Sequence, residues 1–334
     1  MASHDTPRAY LDYNATAPLR PEARAAILSA MDRLGNPSSI HAEGRAARAI
    51  VEDARRAVAE LASVAPRCVV FTSGGTEAAN LALTPAIAAP RLKAPLARLI
   101  VGAGEHACVL HGHRFAPERT TVAPLAADGR IDLNALAALR ASTDGRPATL
   151  ALQGANNETG VIQPVAEAAA LIHEAGGLVV CDAVQLTGRA SVAMAALGAD
   201  FLVLSAHKFG GPKGAGALVA ARPELHISAP LLRGGGQERG ARAGTENVAA
   251  IAGFGAAARV AGAEQGTESA RLAALRDSLA ERVREHAPDA VIIGAGAPRL
   301  CNTLCFAVPG VAAATLVIAL DLAGIAVSAG SACS

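Results

Sequence analysis

Short apolar runs bounded by turn residues alternate with segments of helical period along most of this chain. Phe201-Leu-Val-Leu204 is apolar throughout, as a strand buried on both faces must be. Comparable runs predict strands over 68–72, 98–101, 149–153 and 178–181, and a returning strand over 214–220. Helical periodicity covers 21–34 and 40–63, where Arg and Glu alternate with Ala, Ile and Val, and recurs from about 76, near 164–175 and near 191–197. Residues 1–20 read as irregular and the Pro/Ala stretch 84–98 as a loop. Strands alternating with helices predict an α/β fold: a mostly parallel central sheet with helices on both faces.

From about 226 to 247 the chain turns Gly- and Arg-rich. An Ala-rich helical region over 247–286 then leads to a second set of elements: strands at 290–293, 303–308 and 325–328 and a helix near 312–322. The expected division is a large domain over 21–261 and a smaller α+β domain from 1–20 and 262–334. No internal repeat is visible.

Composition narrows the classes. The 334 residues are 51% hydrophobic and 18% charged, a globular balance with room for a large core. A net charge of +1 gives no electrostatic case for nucleic acid or an anionic membrane. Aromatic residues are 2% and tryptophan is absent, so Ala, Leu, Val and Ile must fill the core and base-stacking platforms are not expected. The opening Met1-Ala-Ser-His-Asp-Thr-Pro7 lacks the basic-then-apolar pattern of a signal peptide, and no apolar run reaches membrane-spanning length. The six cysteines (68, 108, 181, 301, 305, 333) are irregularly spaced without a Cys-x-x-Cys, and read as reduced cytosolic thiols. Cys301 and Cys305 read as packing residues rather than metal ligands.

Several strands end in groups with chemical use. Lys208 follows the apolar run 201–204 through Ser205 and His207, just before a Gly-Pro break. The carboxyl edge of an open α/β sheet is where ligands bind. A lysine there loses water, which favours the neutral amine that forms a Schiff base with an aldehyde. The alternative is a surface lysine after a strand. Ser73-Gly-Gly-Thr-Glu77 opens a helix after a strand, and Gly75 and Thr76 offer free N–H groups for a phosphate; a plain strand–turn–helix reads the same way. Asp182 ends another strand, as an acid for a pyridinium nitrogen or a turn cap. Asn157 is a ligand-binding amide or a turn former. His106 suits ring stacking and proton transfer, or sits on the surface. His106, His111 and His113 lack the helical i, i+4 pairing of a metal pair, so no metal site is expected. Gly210-Gly-Pro-Lys-Gly lacks the spacing of a nucleotide-binding loop. Cradle, acid and strand-end lysine, in that order, describe a site for pyridoxal phosphate.

The order and spacing of these segments resemble the class V aminotransferase family, and within it the cysteine desulfurases of the iron–sulfur cluster group. The matching segments include Tyr10-Leu-Asp-Tyr-Asn-Ala-Thr16, Gly35-Asn-Pro-Ser-Ser-Ile-His41, Phe71-Thr-Ser-Gly-Gly-Thr-Glu77, Glu105-His106, Asn156-Asn-Glu-Thr-Gly160 and Cys181-Asp-Ala-Val-Gln185. They continue through Ser205-Ala-His-Lys208, Gly211-Pro-Lys-Gly214, Arg233-Gly-Gly-Gly-Gln-Glu-Arg-Gly240, Arg242-Ala-Gly-Thr245 and Ser328-Ala-Gly-Ser-Ala-Cys333. The resemblance implies the fold of type I pyridoxal phosphate transferases and a role for each matching residue. Lys208 would hold the cofactor covalently, Asp182 would meet the ring nitrogen and Gln185 the ring hydroxyl. Gly75, Thr76, Ser205 and His207 would hold the phosphate, and Thr245 would reach the cofactor of a second subunit, which implies a homodimer. His106 would stack on the ring, and Asn157 would contact cofactor or substrate. Cys333 would take sulfur from L-cysteine as a persulfide, leaving L-alanine, for a sulfur acceptor such as an iron–sulfur scaffold protein. A transient iron–sulfur contact at Cys333 would be the one metal encounter.

Three positions depart from the family pattern. The sequence ends one residue after Cys333, so no position matches the arginine expected to bind the substrate carboxylate. Ala17 stands where a second threonine is usual, and Gln237 where some relatives have histidine. Two neighbouring functions stay open: another class V enzyme, such as a selenocysteine lyase or an aminotransferase, and a shortened cofactor-binding partner without turnover.

Overall fold

The computed structural model describes residues 8–90, 92, 94–142 and 146–330. After β1 (Ala9–Tyr10), two helices, α1 (Pro21–Met31) and α2 (Ala42–Leu61), lead to β2 (Val69–Thr72) and α3 (Gly75–Ala82). Then follow β3 (Ile87–Ala88), β4 (Arg98–Gly102), α4 (Ala107–Leu110), β5 (Thr120–Ala123) and α5 (Leu133–Ala141). The alternation runs on through β6 (Ala148–Gln153), α6 (Val165–Glu174), β7 (Leu178–Asp182), α7 (Met194–Leu197) and β8 (Phe201–Ser205). It returns in β9 (Gly216–Ala220) and β10 (His226–Ile227) before the long α8 (Val248–His286). The last elements are β11 (Val291–Ile292), β12 (Phe306–Ala307), α9 (Ala313–Leu322) and β13 (Ile325–Ala326).

Seven strands form one sheet in the order β2-β9-β8-β7-β6-β4-β5. Pairings from β5 to β8 are parallel, and β9 is antiparallel to both its neighbours. The fold is the expected mostly parallel sheet between two helical layers. Period-two alternation explains why the strands read as continuous apolar runs. In β8, Leu202 and Leu204 face the layer of α2 and α8, whereas Phe201 and Val203 face the layer of α3. In β7, Val179 and Cys181 divide from Leu178 and Val180 in the same way. Both faces are therefore water-free, and only the strand ends are left for chemistry.

Some elements differ from the reading of the sequence. β5 and α5 were not expected: β5 is an outer strand with two threonines and a half-exposed pattern, so it carries little apolar signal. β1 lies inside the stretch read as irregular and pairs with β13, 316 residues away in register Ala9↔Ile325. β3 lies inside the stretch read as a loop and pairs with β10. The strand expected over 303–308 shortens to β12, and the helix near 191–197 to the single turn α7. The helix α8 runs unbroken through residue 261, with its buried positions from Ala250 to Ala261 and again at Ala280. Among the described residues no helix is long and apolar enough to cross a membrane.

The free edge of β2 is closed by side chains. Glu238 Oε2 accepts from the Phe71 N–H at 3.0 Å, while Val69 O accepts from Arg55 at 2.8 Å and from Arg239 at 2.7 Å. Arg55 and Glu238 form a two-pronged pair at 2.7 and 2.8 Å, with side chains 4% and 1% exposed. Glu238 and Arg239 hold left-handed φ values of 45° and 56° to make these contacts. A strand edge sealed in this way cannot pair with another chain, and the strand that feeds α3 is held in place. Glu238→Leu would strip the buried Arg55 of its two-pronged partner and leave it only the half-exposed Glu52, at 3.1 Å from Nε. It is expected to cost about 3–5 kcal/mol, read as a lowered urea midpoint without change in m.

Candidate active site

The carboxyl ends of β6, β7 and β8, the start of α3 and the turn after β4 converge on one cavity of about 840 Å³. Nine of the expected residues line it: Gly75, Thr76, His106, Asn157, Asp182, Gln185, Ser205, His207 and Lys208. The opposite wall is apolar and comes from the C-terminal elements, through Phe306, Val311, Leu316, Leu320 and Val327. Thr245 is exposed and does not line the cavity. Cys333 lies outside the described residues.

Each polar group is positioned by a strand end. The hydrogen-bond ladder stops at Ser205, and the chain tightens into a 3₁₀ turn over Ala206–Lys208 that carries His207 and Lys208 inward. Lys208 Nζ donates to Asn14 O at 2.6 Å and to Ala15 O at 3.0 Å. Asp182 ends β7, and its Oδ1 accepts from the Val184 N–H at 2.9 Å. Burial raises its pKa, against the pull of that bond, His106 and Lys208. His106 caps α4, and its Nδ1 accepts from the Cys108 N–H at 3.2 Å. That bond needs a lone pair on Nδ1, which puts the proton of the neutral ring on Nε2. His207 Nδ1 meets Thr16 Oγ1 at 3.2 Å. Burial, Lys208 and Lys213 push its pKa down to about 4.

The cavity wall at α3 fits a phosphate. No side chain caps the helix, and the carboxylate of Glu77 is committed elsewhere, to the Ser73 N–H at 2.8 Å and to Arg242 at 3.0 Å. A Cβ on Gly75 would lie 3.1 Å from Val184 Cγ2 and 3.4 Å from Ser205 Cβ, and one on Gly216 would meet the Gly74 backbone at 2.4 Å. Backbone thus packs on backbone, and the first N–H groups of α3 face the cavity beside Ser205, His207 and Lys213. An amine, an acid and an anion cradle in one cavity are the donor set that pyridoxal phosphate requires. Among the described residues no group of three or more His, Cys, Asp or Glu is placed to hold a metal ion.

Four participants were given no role in the sequence reading. Asn14 Nδ2 donates to Asn157 O at 3.1 Å and to Thr303 Oγ1 at 3.0 Å, and its Oδ1 accepts from Asn302 at 3.0 Å. Its carbonyl accepts from Gln185 Nε2 at 3.0 Å as well as from Lys208. Buried Arg189 donates to Gln185 Oε1, to Tyr13 O at 3.1 Å and to Lys208 O at 3.3 Å. Glu105 is 6% exposed beneath the cavity. The cavity thiol Cys108 is pushed up to about 12 by burial, Asp182 and Glu105, and burial raises Cys305 too. Neither is a ready thiolate. Only the resemblance of the segments around Asn14 and Glu105 pointed towards them, and no periodicity marks a buried arginine.

The family model for aminotransferase class V matches residues 9–334. The chain belongs to the aminotransferase class-V family. It is 43% identical over 333 residues to a protein of Cereibacter sphaeroides named cysteine desulfurase, covering 98% of this chain and 83% of the relative. A second cysteine desulfurase, from Frankia, is 42% identical over 344 residues, covering 97% and 79% of the two chains. The crystal structure of a NifS-like protein from Rickettsia africae superposes with a TM-score of 0.89 at 33% identity, covering 97% of this chain and 88% of that one. The family match and this superposition fit the sheet order described above.

The histidine beside the cradle sets a pH dependence. The fold favours neutral His207, so its contribution is complete above the ordinary value of 6.5 and is lost as pH falls through about 4. The non-titrating variant His207→Gln should lose less stability over that window. Urea unfolding at intervals between the two pH values should show the stability of wild type falling towards that of the variant. Parallel curves would remove His207 as the titrating group.

Proposed function

We propose that this chain is a cysteine desulfurase that uses pyridoxal 5'-phosphate to take sulfur from L-cysteine. The products are L-alanine and a persulfide on Cys333, whose sulfur passes to an acceptor such as an iron–sulfur scaffold protein. One observation carries the reading: Lys208, Asp182 and the open start of α3 share a single cavity. The chain's relatives named cysteine desulfurase support it.

In this mechanism the bound cofactor supplies an electron sink for the bond broken at the substrate Cα. The cradle of Gly75, Thr76, Ser205 and His207 holds the phosphate, with His207 as a neutral donor rather than an added charge. Asp182 holds the proton of the ring nitrogen. Burial makes that carboxylate cost energy when unpaired, so a cationic partner is strongly favoured there. His106, with its proton on Nε2, would stack on the ring, and Asn157 and Gln185 complete the polar rim of the cavity. Lys208 Nζ would hold the cofactor covalently and, as a free amine, would take the Cα proton. The Asn14 and Ala15 carbonyls receive the ammonium that results. The raised thiols of Cys108 and Cys305 count against either as the sulfur acceptor, a role that the family resemblance gives to Cys333.

The working unit is a homodimer in this reading. Exposed Thr245 follows Arg242, which is tied to Glu77 of α3, so the loop stands next to the cradle and is open to a second copy. Five described cysteines are free thiols, which suits a reducing compartment, and we assign the protein to the cytoplasm.

Incubation with pyridoxal phosphate and L-cysteine should yield alanine and one extra sulfur on Cys333, detected by intact mass and peptide mapping. Cys333→Ala should retain cofactor and lose the sulfur adduct. Lys208→Ala should abolish the cofactor adduct that borohydride fixes to the protein. Turnover of selenocysteine or a transamination without cysteine turnover would replace the reading with another class V activity, and a fixed adduct without any turnover would leave a binding partner only.

A further inference from the structure

Glu105 is a buried acid that the mechanism above does not use. It closes the turn after β4, where its own N–H donates to Gly102 O at 3.1 Å. One carboxyl oxygen, Oε1, accepts from the Gln153 N–H at 2.5 Å, at the last residue of β6. The other, Oε2, is buried and has no hydrogen-bond partner among the described residues. The preceding carbonyl, Gly104 O, accepts from Gln153 Nε2 at 2.5 Å and from Asn156 Nδ2 at 3.1 Å. Three bonds therefore fasten residues 104–105 to the end of β6, and His106 is the next residue. Gln153 stands opposite Asp182 in the parallel register of β6 and β7. The fastening thus sets the imidazole relative to the acid on the neighbouring strand.

We propose that Glu105 is a positioning residue for His106: its buried carboxyl latches the turn after β4 onto the end of β6 and fixes the imidazole over the cavity. The inference rests on the cofactor reading above. The chemistry of the site favours a neutral acid as the latch. Burial and the nearby Asp182 raise the Glu105 carboxyl well above its ordinary value, and Cys181 and Cys108 beside it are held as thiols. A neutral acid keeps one oxygen for the Gln153 N–H and carries its proton on Oε2. It also leaves Asp182 as the ionised member of the pair, because two adjacent buried carboxylates do not both ionise.

The test compares three variants in the full chain. Glu105→Gln preserves an acceptor oxygen and the neutral state, and should keep the wild-type absorbance band of the loaded protein and its pyridoxal phosphate Kd. Glu105→Leu keeps apolar volume but cannot accept the bond. It should shift the band and raise Kd roughly tenfold, the factor carried by one buried hydrogen bond. In a His106→Asn background the leucine change should add little, because the latch acts through the imidazole. If Glu105→Leu does not fold, Gln153→Met removes the side-chain bond to Gly104 O and should give a smaller shift in the same direction, one that is lost in the His106→Asn background although Gln153 also lines the cavity. A full leucine effect in the His106→Asn background would overturn the inference, as would a wild-type band in both Glu105→Leu and Gln153→Met. Wild type without any Lys208-dependent band would instead overturn the cofactor reading itself.

Discussion

The site depends on how the fold satisfies one short polar turn, Tyr13 to Ala15, wedged between the sheet's carboxyl rim and the C-terminal elements. Backbone carbonyls taken from water must find donors. Here the donors come from three directions. Lys208 and Gln185 reach the turn from strand ends of the sheet, Arg189 reaches it from the segment after β7, and Asn14 turns its own amide towards Asn157, Asn302 and Thr303. The same bonds that satisfy the turn gather the chemistry-bearing side chains in one place. The turn holds the lysine amine by two carbonyls, and Asn14 links the C-terminal wall to the sheet's rim.

This arrangement is coupled to the charge pattern of the cavity. Asp182 and His207 both sit where burial opposes the charged form. Asp182 is raised by burial and relieved by His106 and Lys208, whereas His207 is driven neutral by burial and by the two lysines near it. The thiols nearby move in the same direction as the acids, for the same reason. Among the described residues the outcome is a division of labour: His207 is held neutral, burial makes a cationic partner favourable beside Asp182, and the Cys108 and Cys305 thiols are raised.

Much of this was legible in the residues, and the reason lies in period-two burial. Because the strands from β6 to β8 are apolar on both faces, the first polar residues after each run mark the rim, which is how Asp182 and Ser205 with Lys208 stand out. What stayed hidden follows from the same physics. β5 is an outer strand whose threonines need not be buried, so it lacks the apolar signal. β1 and β13 are two residues each, held by a pairing that no local pattern encodes. Arg189 carries a signature opposite to its fate: a charged residue in a polar stretch reads as solvated, yet it is 8% exposed. Glu105 was visible only as part of a familiar dipeptide, because a single acid after a strand has no periodicity of its own. Thr245 stood in the sequence reading for a contact with a second chain, which the geometry of one chain does not contain.

Arg189 places a further cation beside the rim, held by dipoles rather than by an acid. Its hydrogen-bond partners among the described residues are three main-chain carbonyls and the side chain of Gln185, with no carboxylate. Burial accordingly lowers its pKa to about 10, still far above neutrality, so the guanidinium remains charged. An ion pair would have fixed one acid to one base and left the surrounding carbonyls unmet. A planar fork with five donors instead spreads one charge over carbonyl oxygens from the turn, from Gln185 and from Lys208 itself. The guanidinium orients the Gln185 amide through its oxygen, which leaves the Nε2 donor for Asn14 O. It also grips the main chain of Lys208, so that the lysine's backbone is held from below while its amine is held from the cavity side. A cation bound by dipoles alone holds the Lys208 main chain without engaging Asp182, the acid that the proposed reading gives to the ring nitrogen.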